Sequence, residues 1–174
     1  MKGVIIKCLQ ELVEHSASAD TWRTVFEDAG LPASRIILAG GDVPDAEAMA
    51  IVKAAMKTLN LTLEQAGDAF GEFWITTYAP RVYGAFFKTP KNAREFLLQM
   101  DSVHKRLTET IPNAKPPRFD PTWKDANTLI MNYNSSRGMI DFAVGLARGV
   151  GKHFNERLTI RKLSDHQFEV RFLS

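Results

Sequence analysis

Two groups of residues have the types and spacing to do chemistry. The first is His104 in the run Phe96, Leu97, Met100, His104, Leu107 and Ile111, which spaces one apolar face of a helix. A neutral imidazole on a rigid element in an apolar setting can ligate a transition metal such as iron. It can equally be a core histidine with a satisfied ring nitrogen. Asp101, three residues earlier, is placed to orient the ring or to stand as a surface acid. The second group is Tyr133, Ser135 and Arg137, at i, i+2 and i+4 of an alternating stretch. On a strand, a phenol, a hydroxyl and a guanidinium would project from one face. Arginine makes bidentate, charge-assisted bonds to carboxylates, so the set suits a ligand with paired carboxylates. A solvated strand end is the alternative reading.

These residues need elements to hold them. Ile5, Cys8, Leu9, Leu12 and Val13 predict one helix over 2–15. A second starts after Ser18 or Asp20, buries Trp22, Val25, Phe26 and Ala29, and ends at Gly30. Residues 33–44 read as a loop and 45–59 as a third helix, with Met49, Val52, Ala55, Met56 and Leu59 inward. Thr62 and Gln65 form a capping-box pattern for a fourth helix, with Leu63, Phe70, Trp74 and Tyr78 on its face and Pro80 as its stop. Residues 81–90 read as a loop. Asn92 caps the helix of His104, and Pro112, Pro116 and Pro117 prevent its continuation. The period then switches to two over 129–137, returns to helical over 139–154, and switches again for strands at 158–160 and 168–172 around a Ser164-Asp165-His166 turn. Helices first, then a small antiparallel sheet with one long helix inserted, is an α+β arrangement.

Composition sets further bounds. The 174 residues suit a single domain, 45% hydrophobic and 24% charged, with 11 Phe, 3 Trp and 3 Tyr able to line an apolar cavity. The formal charge is +2, with the signs interspersed, which argues against a nucleic-acid partner. The single cysteine, Cys8, excludes an internal disulfide and fits a reducing compartment. No apolar run approaches the roughly 20 residues that span a bilayer, so no membrane role and a cytoplasmic location are expected.

Taken together, Met1-Lys2-Gly3-Val4, Phe70-Gly71-Glu72-Phe73-Trp74, Tyr83-Gly84, Met100-Asp101-Ser102-Val103-His104, Pro116-Pro117 and Tyr133-x-Ser135-x-Arg137 resemble the haem-nitric oxide/oxygen binding (H-NOX) domains, relatives of the haem domain of soluble guanylate cyclase. The resemblance covers the whole chain. It implies one H-NOX domain over 1–174, with a distal helical subdomain over about 1–60 and a proximal subdomain over about 61–174. It implies haem b (iron protoporphyrin IX) with His104 as the iron ligand. Tyr133, Ser135 and Arg137 would hold the propionates, and Pro117 would press on the porphyrin. Ile5, Leu9, Trp74, Phe142 and Leu146 would line the distal side, where ordinary core packing is an equal alternative for Ile5, Leu9, Trp74 and Leu146.

Oxygen-binding members of the family carry a distal tyrosine five residues after the motif arginine. Here that residue is Phe142, so the resemblance implies nitric oxide and carbon monoxide as ligands, unless Trp74, Tyr78 or Tyr83 supplies a donor. It further implies a sensor, not an enzyme, in which release of His104 is read by a separate sensor histidine kinase or cyclic-di-GMP enzyme. The alternatives are a dioxygen sensor of the same fold, a haem-free module binding a partner's carboxylates, and a small acid–base enzyme using His104 and Asp101.

Overall fold

The computed structural model describes residues 1–32 and 34–173; Ala33, in the predicted 33–44 loop, lies outside them. The chain divides into two compact units, Met1–Ala66 and Gly67–Ser174. Among the described residues, no helix is long and apolar enough to cross a membrane.

The first unit packs three helices, α1 (Gly3–Ser16), α2 (Ala19–Asp28) and α3 (Asp45–Thr58). Ser18 caps α2 by accepting from the Thr21 N–H at 3.0 Å. Gly30 after α2 and Asn60 after α3 take positive φ, which frees the chain to turn out of each helix. α2 buries Trp22, Val25 and Phe26 as expected, whereas the buried faces of α1 and α3 match the expected ones only in part. On α1 the buried residues are Val4, Ile6, Cys8, Leu9 and Val13, with Ile5 and Leu12 half-buried. The reason is the following loop. The Gly3 N–H donates to Gly41 at 2.9 Å and the Val43 N–H to Met1 at 2.8 Å, so the first turn of α1 is covered from this side too. A Cβ at Gly3 would strike the Leu38 carbonyl. On α3, Ala48, Ile51, Val52, Ala54 and Ala55 are buried, and Met49, Met56 and Leu59 are half-buried.

The division between the units falls inside α4 (Leu63–Phe73). The expected capping box forms: the Gln65 N–H donates to Thr62 Oγ1 at 3.2 Å, and the Thr62 N–H to Gln65 Oε1 at 2.9 Å. Pro80 does not stop the helix. The chain widens into a π-helical segment, Trp74–Tyr78, and passes into α5 (Ala79–Val82), where Pro80 occupies the first turn. The widened turn spares the proline ring its usual clash with the carbonyl four residues back. The expected 81–90 loop contains a further short helix, α6 (Ala85–Lys88).

The second unit is built on a four-stranded antiparallel sheet in the order β1-β2-β4-β3. Its strands are β1 (Arg118–Asp125), β2 (Thr128–Asn134), β3 (Leu158–Ser164) and β4 (Gln167–Phe172). The sequence reading misses β1, although Phe119, Pro121 and Trp123 alternate with Arg118, Asp120, Thr122 and Lys124, because a proline inside such a run argues against a strand. Its Pro121 is tolerated because β1 is an edge strand. Leu129, Met131 and Tyr133 of β2 and Phe168 and Val170 of β4 form the buried face. Against it pack α7 (Ala93–Thr110) and α8 (Ile140–His153).

Candidate functional site

The helix carrying His104 is fixed at its start. Asn92 Oδ1 accepts from the Glu95 N–H at 2.8 Å, Glu95 accepts from the Lys91 N–H at 2.8 Å, and Glu156 accepts from the Ala93 N–H at 3.0 Å. Two acidic side chains at this end also complement the helix dipole. Ala93, Phe96 and Leu97 are buried; Met100, His104 and Leu107 are half-buried. The first half of α7 is therefore core, and the half bearing His104 is progressively more open.

His104 Nδ1 lies 2.7 Å from the Pro117 carbonyl oxygen. A carbonyl can accept but not donate, so Nδ1 carries the proton and Nε2 keeps its lone pair. Burial is the largest influence on the ring and pushes its pKa down; Arg118 adds to this, while the Pro117 bond and Asp101 oppose it. The net direction favours the neutral, ligating imidazole. Asp101 does not take the ring proton. Its carboxylate receives Arg118 Nε at 2.7 Å, Arg118 Nη2 at 2.6 Å and the Phe119 N–H at 2.9 Å. These bonds, led by the Arg118 contact, hold its pKa down to about 2. The residue that orients His104 is thus Pro117 through its backbone.

Tyr133 sits on the buried face of β2, directly opposite Phe119 of β1, and is 5% exposed. The Phe119 ring lies 5.5 Å from the His104 ring and 5.8 Å from that of Tyr133. Ser135 and Arg137 do not continue the strand, contrary to the alternation. Asn134 pairs with Arg118, the first residue of β1, so the ladder ends there. Ser135 Oγ accepts from the Arg137 N–H at 3.2 Å, and Gly138, at φ 62°, turns the chain towards α8. Arg137 Nη1 donates to the Lys115 carbonyl at 2.6 Å. The structure therefore brings the separate candidates to one place by another route. Arg137, His104 and Asp101 all hold the short segment 115–119, through the Lys115 carbonyl, the Pro117 carbonyl, and Arg118 with the Phe119 N–H. The two prolines of that segment leave it without N–H groups at 116 and 117 but with free-standing carbonyl acceptors.

The expected distal residues of the second unit form an aromatic series. Phe142, 8% exposed on α8, meets Phe70 edge-on at 5.5 Å. Phe70 stacks on Trp74 at 5.8 Å, and Trp74 on Tyr78 at 5.6 Å, with Tyr83 at 6.2 Å. Burial raises the Tyr83 pKa, keeping its phenol protonated. Leu146 is half-buried one turn after Phe142. Ile5 and Leu9 lie on α1 of the first unit, half-buried and buried. The two helices bearing this series touch backbone to backbone. Gly67 and Gly71 of α4 face Gly145 and Gly149 of α8, and a Cβ at Gly149 would come within 2.5 Å of the Gly71 carbonyl. The ion pair Arg148–Asp68 at 2.6 Å and the Lys152–Glu72 pair flank the crossing. This contact was missed at the sequence level, although small residues four apart on two helices are its signal. Phe119 and Arg118 were missed with β1 itself.

Among the described residues, no group of three or more His, Cys, Asp or Glu side chains could hold a metal ion. A lone prepared imidazole suits a metal that arrives with its remaining ligands already attached, as in a porphyrin. A family model described as Haem-NO-binding matches residues 2–162. The chain belongs to the haem-NO-binding family. Relatives of this family include the soluble guanylate cyclases gcy-32 and gcy-34 of Caenorhabditis elegans, 24% and 23% identical over 156 residues. Those residues are 87% of this chain but 23% of each cyclase, so the chain spans about a quarter of the relatives it matches. Among solved structures, an H-NOX protein from S. oneidensis in the Fe(II)NO ligation state is 19% identical, with a TM-score of 0.89 over 100% of both chains. An oxygen-binding H-NOX domain related to soluble guanylate cyclases is 22% identical, with a TM-score of 0.84 over 100% of this chain and 96% of that one. At these identities the likeness establishes the H-NOX fold, and it extends to both nitrosyl-ligated and oxygen-binding proteins.

Proposed function

We propose that this chain is a haem-based gas sensor that takes nitric oxide at ferrous iron. The observation that carries the reading is the shared anchoring of His104 and Arg137 on the carbonyls of Pro117 and Lys115. One short segment thus holds both a neutral imidazole that keeps its Nε2 lone pair and a guanidinium suited to carboxylates. His104 would ligate the iron of haem b, and Tyr133, Ser135 and Arg137 would receive the propionates. Pro117 would bear on the ring it borders. Bound haem supplies the open iron position at which a diatomic gas attaches.

What the chain does around that position follows from its side chains. Phe142 has no donor, so a dioxygen ligand carrying partial negative charge would lack about 1.5–3 kcal/mol of hydrogen bonding there. That is roughly 10- to 150-fold in affinity. Nitric oxide and carbon monoxide need no such donor. Trp74 and Leu146 would keep the surroundings of Phe142 apolar. Release of His104 would be the signal, since it sits on the less buried half of α7 while the first half stays in the core. A ligand can bias such a two-state helix only by its different affinity for the two states. The reader of that change would be a sensor histidine kinase or a cyclic-di-GMP enzyme.

An absorption spectrum of the reduced protein, taken before and after nitric oxide, tests the proposal. A haem band that shifts with the gas supports it, and a His104→Gly variant should lose haem unless imidazole is supplied. A colourless protein after haem reconstitution would end it. A dioxygen reading draws on Tyr78, whose ring stacks on Trp74, and Tyr83, whose ring is tilted against it; a stable oxy spectrum in air would favour it.

A further inference from the structure

Asp101 is one helical turn before His104, yet the imidazole N–H goes to a neutral backbone carbonyl rather than to this carboxylate. A carboxylate partner raises the basicity of a ligating imidazole and strengthens its donation to a metal; a carbonyl does so less. What keeps Asp101 away is Arg118. It occupies both carboxylate oxygens, Nε on Oδ1 at 2.7 Å and Nη2 on Oδ2 at 2.6 Å, in the planar geometry that suits a guanidinium. The Phe119 N–H, at 2.9 Å on Oδ1, fixes the same oxygen from the adjoining backbone. Because Arg118 directly follows Pro117, the residue that neutralises the acid is covalently joined to the residue that accepts the ring N–H hydrogen bond.

We propose that Arg118 is a positioning residue that sets the donor strength of His104 by sequestering Asp101, and so keeps the bond from His104 to iron weak. The inference rests on the reading of His104 as an iron ligand. In an Arg118→Ala variant, Asp101 would stay on the Phe119 N–H with its charge uncompensated, and its field would polarise the Nδ1–H bond towards the carbonyl. His104 then becomes the stronger donor, and a gas displaces it less readily.

Two readouts follow this in the full chain. Resonance Raman of the ferrous haem-loaded protein reports the iron–histidine stretch, which should move to higher wavenumber in Arg118→Ala. NMR of the ring-labelled chain as purified, with carbon monoxide added where haem is bound, reports the Nδ1 proton, which should move downfield. The NMR readout does not need haem, so a failure to load haem defeats the gas-sensor reading without silencing this test. The double variant Asp101→Asn/Arg118→Ala should return both signals to the parent values, because the carboxylate charge is gone. Arg118→Lys, which keeps the charge, should stay near the parent. Parent-like signals in Arg118→Ala would overturn the proposal, as would a double variant displaced as far as the single one, which would mark Arg118 as a structural prop.

Discussion

Adding one methyl group at Gly145 should push apart the helices that carry Phe70, Trp74, Phe142 and Leu146. An ideal Cβ there would lie 2.8 Å from the Asp68 nitrogen and closer still to the Gly67 carbonyl. All of these are backbone atoms, so no side chain can swing aside. Ordinary contact begins at 3.4 Å, and to clear the Gly67 carbonyl oxygen the crossing must open by about 1.5 Å, which places the cost at the top of the roughly 1–3 kcal/mol seen for overpacked interiors. Alanine recovers about 1 kcal/mol through its better helix propensity. The net loss for Gly145→Ala is then about 2 kcal/mol, or a Tm lower by roughly 4–8 °C for a chain of this size. Thermal unfolding followed by circular dichroism measures it. Gly40→Ala serves as the control: it has no heavy atom within 4 Å of its Cβ position and should shift Tm little. A Gly145→Ala protein as stable as the parent, or more so, would show that propensity wins and that the backbones do not cross this closely.

Three further outcomes are expected. Phe142→Tyr should raise dioxygen affinity by roughly 10- to 150-fold if the new hydroxyl reaches the ligand; oxygen titration of the ferrous protein would show no gain if residue 142 does not face the gas site. Arg137→Ala loses its bond to Lys115 as well as its charge, so the haem-to-protein absorbance ratio after purification should fall, and full loading would argue against a propionate role. Asp101→Asn should cost about 1 kcal/mol near neutral pH, reduced from the full pKa linkage because the carboxylate is partly exposed. Its folded pKa, about 2, lies below the ordinary carboxylate value. Its stabilisation is therefore complete above the unfolded pKa and disappears as pH falls towards 2, so denaturant unfolding of parent and variant should converge between about pH 4 and pH 2. A gap that persists in acid would place the cost elsewhere.

Much of this molecule is written in local pattern. The caps at Ser18, Thr62 and Asn92, the long helices and the strands around Met131 and Phe168 follow from side chains acting on their own backbone or from a buried face repeating at a fixed period. His104 was legible as a candidate for the same reason: a polar ring on an apolar stripe is visible without coordinates. Long-range placement was not. The strand β1 alternates only around Pro121, which argues against a strand, and it forms as an edge because its backbone pairs with β2. The π-helical turn that carries the chain through Pro80 depends on packing. Tyr133, Ser135 and Arg137 looked like one strand face, but the ladder ends at Asn134 for want of a partner, and only the fold returns Arg137 to Lys115. The partner of the imidazole was likewise decided in three dimensions. Sequence proximity left Asp101 open as a partner of the ring or a surface acid, and the tertiary structure gave that acid to the Arg118 side chain and the ring to the Pro117 carbonyl, because the fold lays both residues against α7.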